Sequence, residues 1–182
     1  MTRTLAGILA VALIATLADY TWYTLHVRHS IVTGVIHGAA VLTAVGAVLG
    51  LHVGRVWKGL PIGALAGIGG ALTYYLLIAL VDPRPYGSAI PASWVALWLI
   101  VAVLDGRWLR APQRRPWPAI ALRAALAAIL SGASFFLVVN TLWGRPPVTG
   151  RNYALQFAAW AVAWAPALLT LTWRRRPAPP RT

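Results

Sequence analysis

Six apolar stretches, each close to the length of a membrane span, follow one another along this chain of 182 residues. A helix needs about 20 mostly apolar residues to cross the hydrocarbon core of a bilayer. In lipid only helices and closed barrels satisfy their own backbone hydrogen bonds. The sequence therefore predicts an all-α polytopic membrane protein with six transmembrane helices. The predicted spans are 5–25, 31–53, 60–81, 90–104, 117–139 and 153–173.

Two of these spans have an alternative interpretation. The fourth is the shortest, and we expect it to continue inward to Trp108 or to lie nearly upright. The first begins near Arg3 and carries the small residues Thr16 and Ala18, a pattern that also occurs in secretory signal peptides. We expect this helix to be retained. The prediction is thus one transmembrane domain over 1–176 and a disordered cytoplasmic tail over 177–182.

The composition agrees with a membrane protein. Hydrophobic residues make up 59% of the chain and charged residues 10%, whereas soluble domains carry about 25% charged residues. A net charge of +13 often indicates a nucleic-acid partner, but here the basic residues lie in short runs between the apolar stretches. We therefore expect no nucleic-acid partner. The absence of cysteine excludes disulfides, thiol catalysis and cysteine-bound metal.

The basic residues also predict an orientation, because cytoplasmic loops carry an excess of Lys and Arg. With six spans, twelve of the 16 Lys and Arg residues fall on the side of the two termini, and both termini should be cytoplasmic. That side would carry Arg3, Arg55, Lys58, Arg107, Arg110, Arg114, Arg115, Arg123, Arg174, Arg175, Arg176 and Arg181. The outer side would carry Arg28, Arg84, Arg145 and Arg151. Four of the 10 tryptophans, Trp57, Trp108, Trp117 and Trp173, are expected at the inner boundary.

Helices 1, 3 and 5 end in similar ways, which suggests an internal repeat. Each closes its apolar run with one acidic or amide residue, namely Asp19, Asp82 and Asn140, followed by aromatic, Pro or Arg residues. The simplest interpretation is three tandem helical hairpins. The alternative is that each membrane boundary selects Trp, Arg and Pro independently.

Glycines recur every four residues in helices 2 and 3, as Gly34-x-x-x-Gly38, Gly46, Gly50 and Gly54, and then as Gly59, Gly63 and Gly67. Such stripes let two helix backbones approach closely. We expect helices 2 and 3 to pack together near the centre of the bundle, within one chain rather than as a dimer contact.

Polar and aromatic side chains gather at the predicted outer ends. Ionisable groups inside a membrane are costly and usually functional, so we predict that they ring an outward-facing ligand pocket. The candidate ligand-binding residues are Asp19, Trp22, Tyr23, His26, His37, Asp82, Arg84, Trp94, Asn140, Trp143, Arg145 and Arg151.

Simpler roles remain open for several of these residues and their neighbours. For Asp19 and Asp82, the alternative role is structural pairing with nearby arginines. His37, inside helix 2, needs a polar partner, for which Asp19 or Tyr23 are the local candidates. Trp160 and Trp164, four residues apart, are expected to pack rather than to bind a ligand. Asp105, beside Gly106 and Arg107, is interpreted as a helix end.

A metal site is the remaining chemical possibility, with His26, His29 and His37 as weak candidate ligands beside Asp19. Imidazole and carboxylate suit zinc or copper, but no dense spacing such as HExxH is present. We therefore predict no catalytic residues and no cofactor, and leave a metal open.

The predicted function is a non-enzymatic integral membrane protein that binds a lipid or a small amphipathic ligand, or a partner membrane subunit, in the outward pocket. The outer arginines favour an anionic head group. The partners expected are membrane lipid and, as a further option, another membrane protein or a second copy of the chain. The alternatives are a small transporter or channel subunit, and a metal-dependent membrane enzyme using His26, His29 and His37.

Overall fold

The computed structural model describes residues 2–28, 30–81, 89–138 and 152–173, and these are almost entirely helical. Six helices are long and apolar enough to cross a membrane, which fits a multi-pass integral membrane protein and confirms the predicted fold class. They are α1 (Thr2–Thr24), α2 (Ile31–His52), α3 (Val56–Leu80), α4 (Ala89–Leu104), α5 (Trp117–Val138) and α6 (Tyr153–Thr172).

The fourth span is longer than its apolar run. A π-helical turn, Asp105–Leu109, continues α4 directly, so that the apolar span covers Ala89–Leu109. The extension to Trp108 expected from the short fourth stretch is therefore present. The other boundaries lie within a few residues of the predicted ones.

Local capping explains where two of the helices begin. The Ser30 side chain accepts a hydrogen bond from the Thr33 amide, and Thr33 Oγ1 accepts one from the Ser30 amide, which forms a capping box before α2. Asn152 caps α6 through a bond of 3.1 Å from the Leu155 amide. These caps satisfy amide groups that the first helical turn leaves without partners.

The helices pack in chain order, and α6 returns to contact α1. Thr4 Oγ1 lies 3.3 Å from Thr172 Oγ1, so α1 starts and α6 finishes at the same end of the bundle. We call this the basic end, because Arg55, Arg110 and Arg115 also lie there, and we call the other the opposite end. The three-hairpin arrangement and the internal repeat stay predictions.

The closest packing in the bundle is between α2 and α3, where the two glycine stripes meet. A Cβ atom added to Gly46 would overlap the Gly59 carbonyl oxygen, and one added to Gly67 would overlap that of Gly38. The stripes thus make a contact within the chain, as predicted. They do not place this pair at the centre, because a smaller share of α2 and α3 is buried than of α1, α4 and α6.

Helix α1 buries small side chains and exposes large apolar ones. On α1, Val11, Ala12 and Ala15 are buried, whereas Leu9 and Leu13 are about half exposed. A soluble helix would bury its leucines, since burial of apolar area drives folding in water. In lipid, small residues at the contacts let helices approach, and leucine faces the acyl chains.

Candidate functional site

The carboxylate of Asp19 is the centre of a polar cluster near the opposite end of the bundle. Gln156 Nε2 and Trp160 Nε1, both on α6, donate hydrogen bonds to Asp19 Oδ2 over 2.5 Å and 2.7 Å. Asp19 lies five residues before the last residue of α1, about 7.5 Å inside the helix end. A carboxylate at this depth is unfavourable without donors, and α6 supplies two of them.

His37 approaches the same carboxylate from α2. Its Nε2 lies 3.7 Å from Asp19 Oδ1, and the Trp22 ring meets the imidazole edge-on with centroids 5.1 Å apart. The pairing of His37 with Asp19 that the sequence suggested is therefore present. The Asp19 and His37 side chains keep 18% and 27% of their surface exposed.

The structure does not bring all the predicted residues to this cluster. Tyr23 is exposed on α1. His26 lies in the turn after α1 with a φ of 50°, and its Nδ1 lies 3.2 Å from the Thr24 carbonyl oxygen. Six further candidates lie outside the described residues, namely Asp82, Arg84, Asn140, Trp143, Arg145 and Arg151.

Trp94 belongs to a different environment, an aromatic cluster between α4, α5 and α6. It stacks on Phe135 with centroids 4.7 Å apart and lies 5.4 Å from the Trp164 ring. Trp160 contacts both Phe135 and Trp164, and so joins this cluster to Asp19. Trp164 packs as predicted, whereas Trp160 packs and also donates to the carboxylate. Aromatic spacing alone could not indicate that bond, whose acceptor lies 141 residues away in sequence.

The candidate metal ligands do not assemble in the described part of the chain. No group of three His, Cys, Asp or Glu residues lies close enough there to hold an ion. His37 faces Asp19 and His26 lies near a backbone carbonyl, while His29 falls outside the described residues. A metal site on these three histidines stays a hypothesis.

An apolar layer separates the Asp19 cluster from the basic end. On α1 the buried side chains between Asp19 and Thr4 are mostly apolar, and Thr16, the polar one next to Asp19, bonds to the Ala12 carbonyl within its own helix. On α6, Ala163 and Ala167 are fully buried. Within the described helices α1 and α6, no row of polar side chains crosses the bundle.

A second polar cluster, not predicted from the sequence, lies at the basic end. Asp105 is completely buried, and its Oδ2 accepts hydrogen bonds from Arg110 Nε at 3.0 Å and Arg115 Nη1 at 2.8 Å. Asp105 follows the last residue of α4, as its interpretation as a helix end predicted, but it also has a further role. It opens the π-helical turn and binds two arginines that follow it in sequence.

The arginines at this end also bind backbone carbonyl groups. Arg115 Nη2 donates to the Leu171 carbonyl over 3.0 Å, and Arg123 donates to the carbonyls of Thr170 and Trp173 at the end of α6. Arg55 donates to the carbonyls of Leu109 and Ala111. Burial lowers the pKa of Arg115 to about 10, and the neighbouring Asp105 carboxylate opposes that shift.

These arginines surround a cavity of about 880 Å³. Its walls come from the segment after α4, the first turns of α5 and the last turn of α6. Arg55, Arg110, Arg115 and Arg123 all line it. The described residues thus carry two polar sites, one at each end of the bundle.

No protein-family model, no curated protein and no solved structure matches this chain.

Proposed function

We propose that this multi-pass membrane protein binds a lipid or another small amphipathic molecule at the Asp19 cluster, with the basic end in the cytoplasm. The observation that carries the proposal is the meeting of Asp19 and His37 inside the bundle, each with part of its surface exposed. Two ionisable side chains at membrane depth are energetically costly, and such residues are usually present because a function requires them. Binding of a polar head group is one such function.

The described part of the site favours a head group that carries a hydroxyl or an amine. The Asp19 carboxylate accepts hydrogen bonds, and the His37 imidazole donates or accepts according to its protonation. Trp22 and Tyr20 add aromatic surface at the same depth, and Tyr20 packs edge-on against Tyr153 with centroids 5.1 Å apart. Such a boundary suits a molecule with a polar head and an apolar body. The anionic preference expected from the sequence depends on four outer arginines, of which Arg84, Arg145 and Arg151 lie outside the described residues.

Binding fits the described bundle better than transport. A transporter needs polar side chains along its axis as well as an ionisable site. Ala163 and Ala167 are fully buried between Gln156 and Thr172 on α6, and the buried face of α1 is similarly apolar. The Asp19 cluster therefore resembles an isolated binding site at one end of the bundle rather than one of several polar sites along a transport pathway.

Native mass spectrometry of the full chain, purified in several mild detergents, tests this proposal. We expect the wild-type protein to retain a co-purified small molecule, and Asp19→Asn with His37→Gln to lose it. Thr43→Val is the matched control, because Thr43 lies on the same helix as His37 and, among the described residues, its hydroxyl bonds only to the Ala39 carbonyl. A spectrum free of bound molecules in every detergent, with folded protein, would contradict the proposal.

A further inference from the structure

The cavity at the basic end has the size and charge of a binding site for an anion. Its volume of about 880 Å³ lies within the range of about 300–1,000 Å³ that is usual for ligand pockets. Four arginines line it, and the Asp105 carboxylate beside them bonds to two of these. The five groups carry a net charge of +3, and no acidic residue is among the described residues that line the cavity.

Capping of α6 explains only part of this charge. Cations stabilise the end of a helix, where the free carbonyls carry about half an elementary negative charge. Arg115 and Arg123 have this role at Leu171 and Trp173. Half a charge at this helix end is smaller than the net positive charge of the five groups. An anion, from solution or from the membrane, would therefore stabilise the arginines around the cavity.

The guanidinium groups also keep donors for such an anion. Each carries five N–H donors in a planar arrangement that suits phosphate oxygens. Arg110 uses Nε for Asp105, and its buried Nη2 has no hydrogen-bond partner among the described residues. Arg55 bonds to carbonyl oxygens through Nη1, and no hydrogen bond from its Nε or Nη2 occurs within the same part of the chain.

Part of the cavity wall is apolar. Leu122 and Leu126, one turn apart on α5, line it, and Leu122 is more than half exposed. Trp173, at the end of α6, also lines the cavity and is largely exposed. A ligand with a charged head among the arginines could thus extend an acyl chain along α5. A soluble anion would gain nothing from this wall.

We propose that the cavity binds the phosphate group of an anionic membrane lipid, with an acyl chain lying along Leu122 and Leu126. Basic pockets between helices at the cytoplasmic boundary bind such head groups, and the cytoplasmic leaflet is rich in anionic lipids. The site is independent of the Asp19 cluster, which lies about 21 Å away along α6, measured from Gln156 to Thr170. Phosphate chemistry is common to lipid heads and soluble phosphates, so the test must separate these sources.

The test compares lipid retention by native mass spectrometry after the full chain is released from nanodiscs. The nanodiscs hold equal amounts of phosphatidylglycerol and phosphatidylcholine with the same acyl chains. We expect preferential retention of phosphatidylglycerol by the wild type. Arg123→Gln should weaken it about fivefold, since one basic residue near a lipid surface contributes on the order of that factor. Ala119→Trp should weaken it as well, because it fills the cavity and removes no charge.

Arg114→Gln is the matched control, since it removes the same charge from an exposed neighbouring position that does not line the cavity. It should leave retention within about twofold of wild type, as exposed charges act weakly.

Equal retention of both lipids by the wild type, or an equal loss in Arg114→Gln and Arg123→Gln, would overturn the proposal. A large excess of inorganic phosphate that displaces the lipid supports a phosphate subsite. Thermal stabilisation by inorganic phosphate without any lipid preference overturns the lipid as its source. Ala119→Trp keeps the test valid if Arg123→Gln fails to fold.

Discussion

Trp160 on α6 donates a hydrogen bond of 2.7 Å from its indole Nε1 to the Asp19 carboxylate on α1. Its neighbour one turn away, Trp164, has the same side chain but no hydrogen-bond partner for Nε1 among the described residues. Both rings lie in the same aromatic cluster and stack with centroids 5.8 Å apart. The two tryptophans therefore separate the contribution of the hydrogen bond from that of ring packing.

The first prediction compares Trp160→Phe with Trp164→Phe. Both variants keep an aromatic ring, but only Trp160→Phe removes a donor from a carboxylate in the membrane. Side-chain hydrogen bonds between transmembrane helices contribute about 0.6 kcal/mol on average and at most about 1.7 kcal/mol. Because the acceptor is charged, we expect a loss of roughly 1.5 kcal/mol beyond that of Trp164→Phe. The measurement is the free energy of unfolding in mixed micelles, and an equal loss in both variants would argue against the bond.

The second prediction concerns the buried carboxylate at the basic end. Asp105→Asn leaves Arg110 and Arg115 without their common charged partner. Removal of one member of a buried ion pair costs about 3–5 kcal/mol, because the remaining charge is buried without compensation. We expect a loss of this order in the free energy of unfolding. Arg107→Gln, which removes a cation stacked 4.9 Å from the Trp117 ring, is the control and should cost less than about 1 kcal/mol.

The third prediction tests the contact between α2 and α3. Gly63→Ala places a Cβ atom on the Leu42 carbonyl, where backbone would have to move. Overpacking of this kind costs about 1–3 kcal/mol. We expect the upper part of that range, because the atoms that the added Cβ would meet all belong to the backbone. Gly132→Ala is the control, since its Cβ would meet only the Trp94 ring at an ordinary 3.4 Å. Thermal unfolding in one detergent compares the two, and a smaller loss in Gly63→Ala than in Gly132→Ala would contradict the close packing.

The sequence was sufficient for the features that follow from local pattern. Hydropathy and length define the spans, and four-residue glycine spacing predicts the contact between α2 and α3. The pairing of His37 with Asp19 followed from the cost of an isolated polar group in lipid. Each of these inferences needs only neighbouring residues or one general property of the bilayer.

The features that the sequence did not reveal depend on partners that local spacing cannot identify. A single acidic residue before Gly106 and Arg107 fits a helix end as well as a buried ion pair. The structure shows both, since α4 ends at Leu104 and Arg115, ten residues after Asp105, binds the Asp105 carboxylate. The arginine cavity also combines Arg55 with residues more than fifty positions later. Basic residues in loops are expected from membrane topology alone. The sequence therefore did not indicate that these arginines meet around one cavity.

The last prediction concerns the pH dependence of lipid retention at the basic end. Burial lowers the pKa of Arg115 to about 10, Asp105 raises it in part, and the nearby charges of Arg110 and Arg123 lower it further. A base is charged below its pKa, so Arg115 keeps its charge throughout the physiological range and loses it as the pH rises through about 10. Retention of phosphatidylglycerol, which has no amine to titrate, should therefore stay constant between about pH 6 and 8.5 and fall above about pH 10. Native mass spectrometry of protein equilibrated at each pH measures this.

Arg115→Lys keeps the positive charge near neutral pH but lacks the planar donors, so it should retain less lipid than wild type at pH 7. Retention that rises with pH would show that a group other than the arginines binds the head.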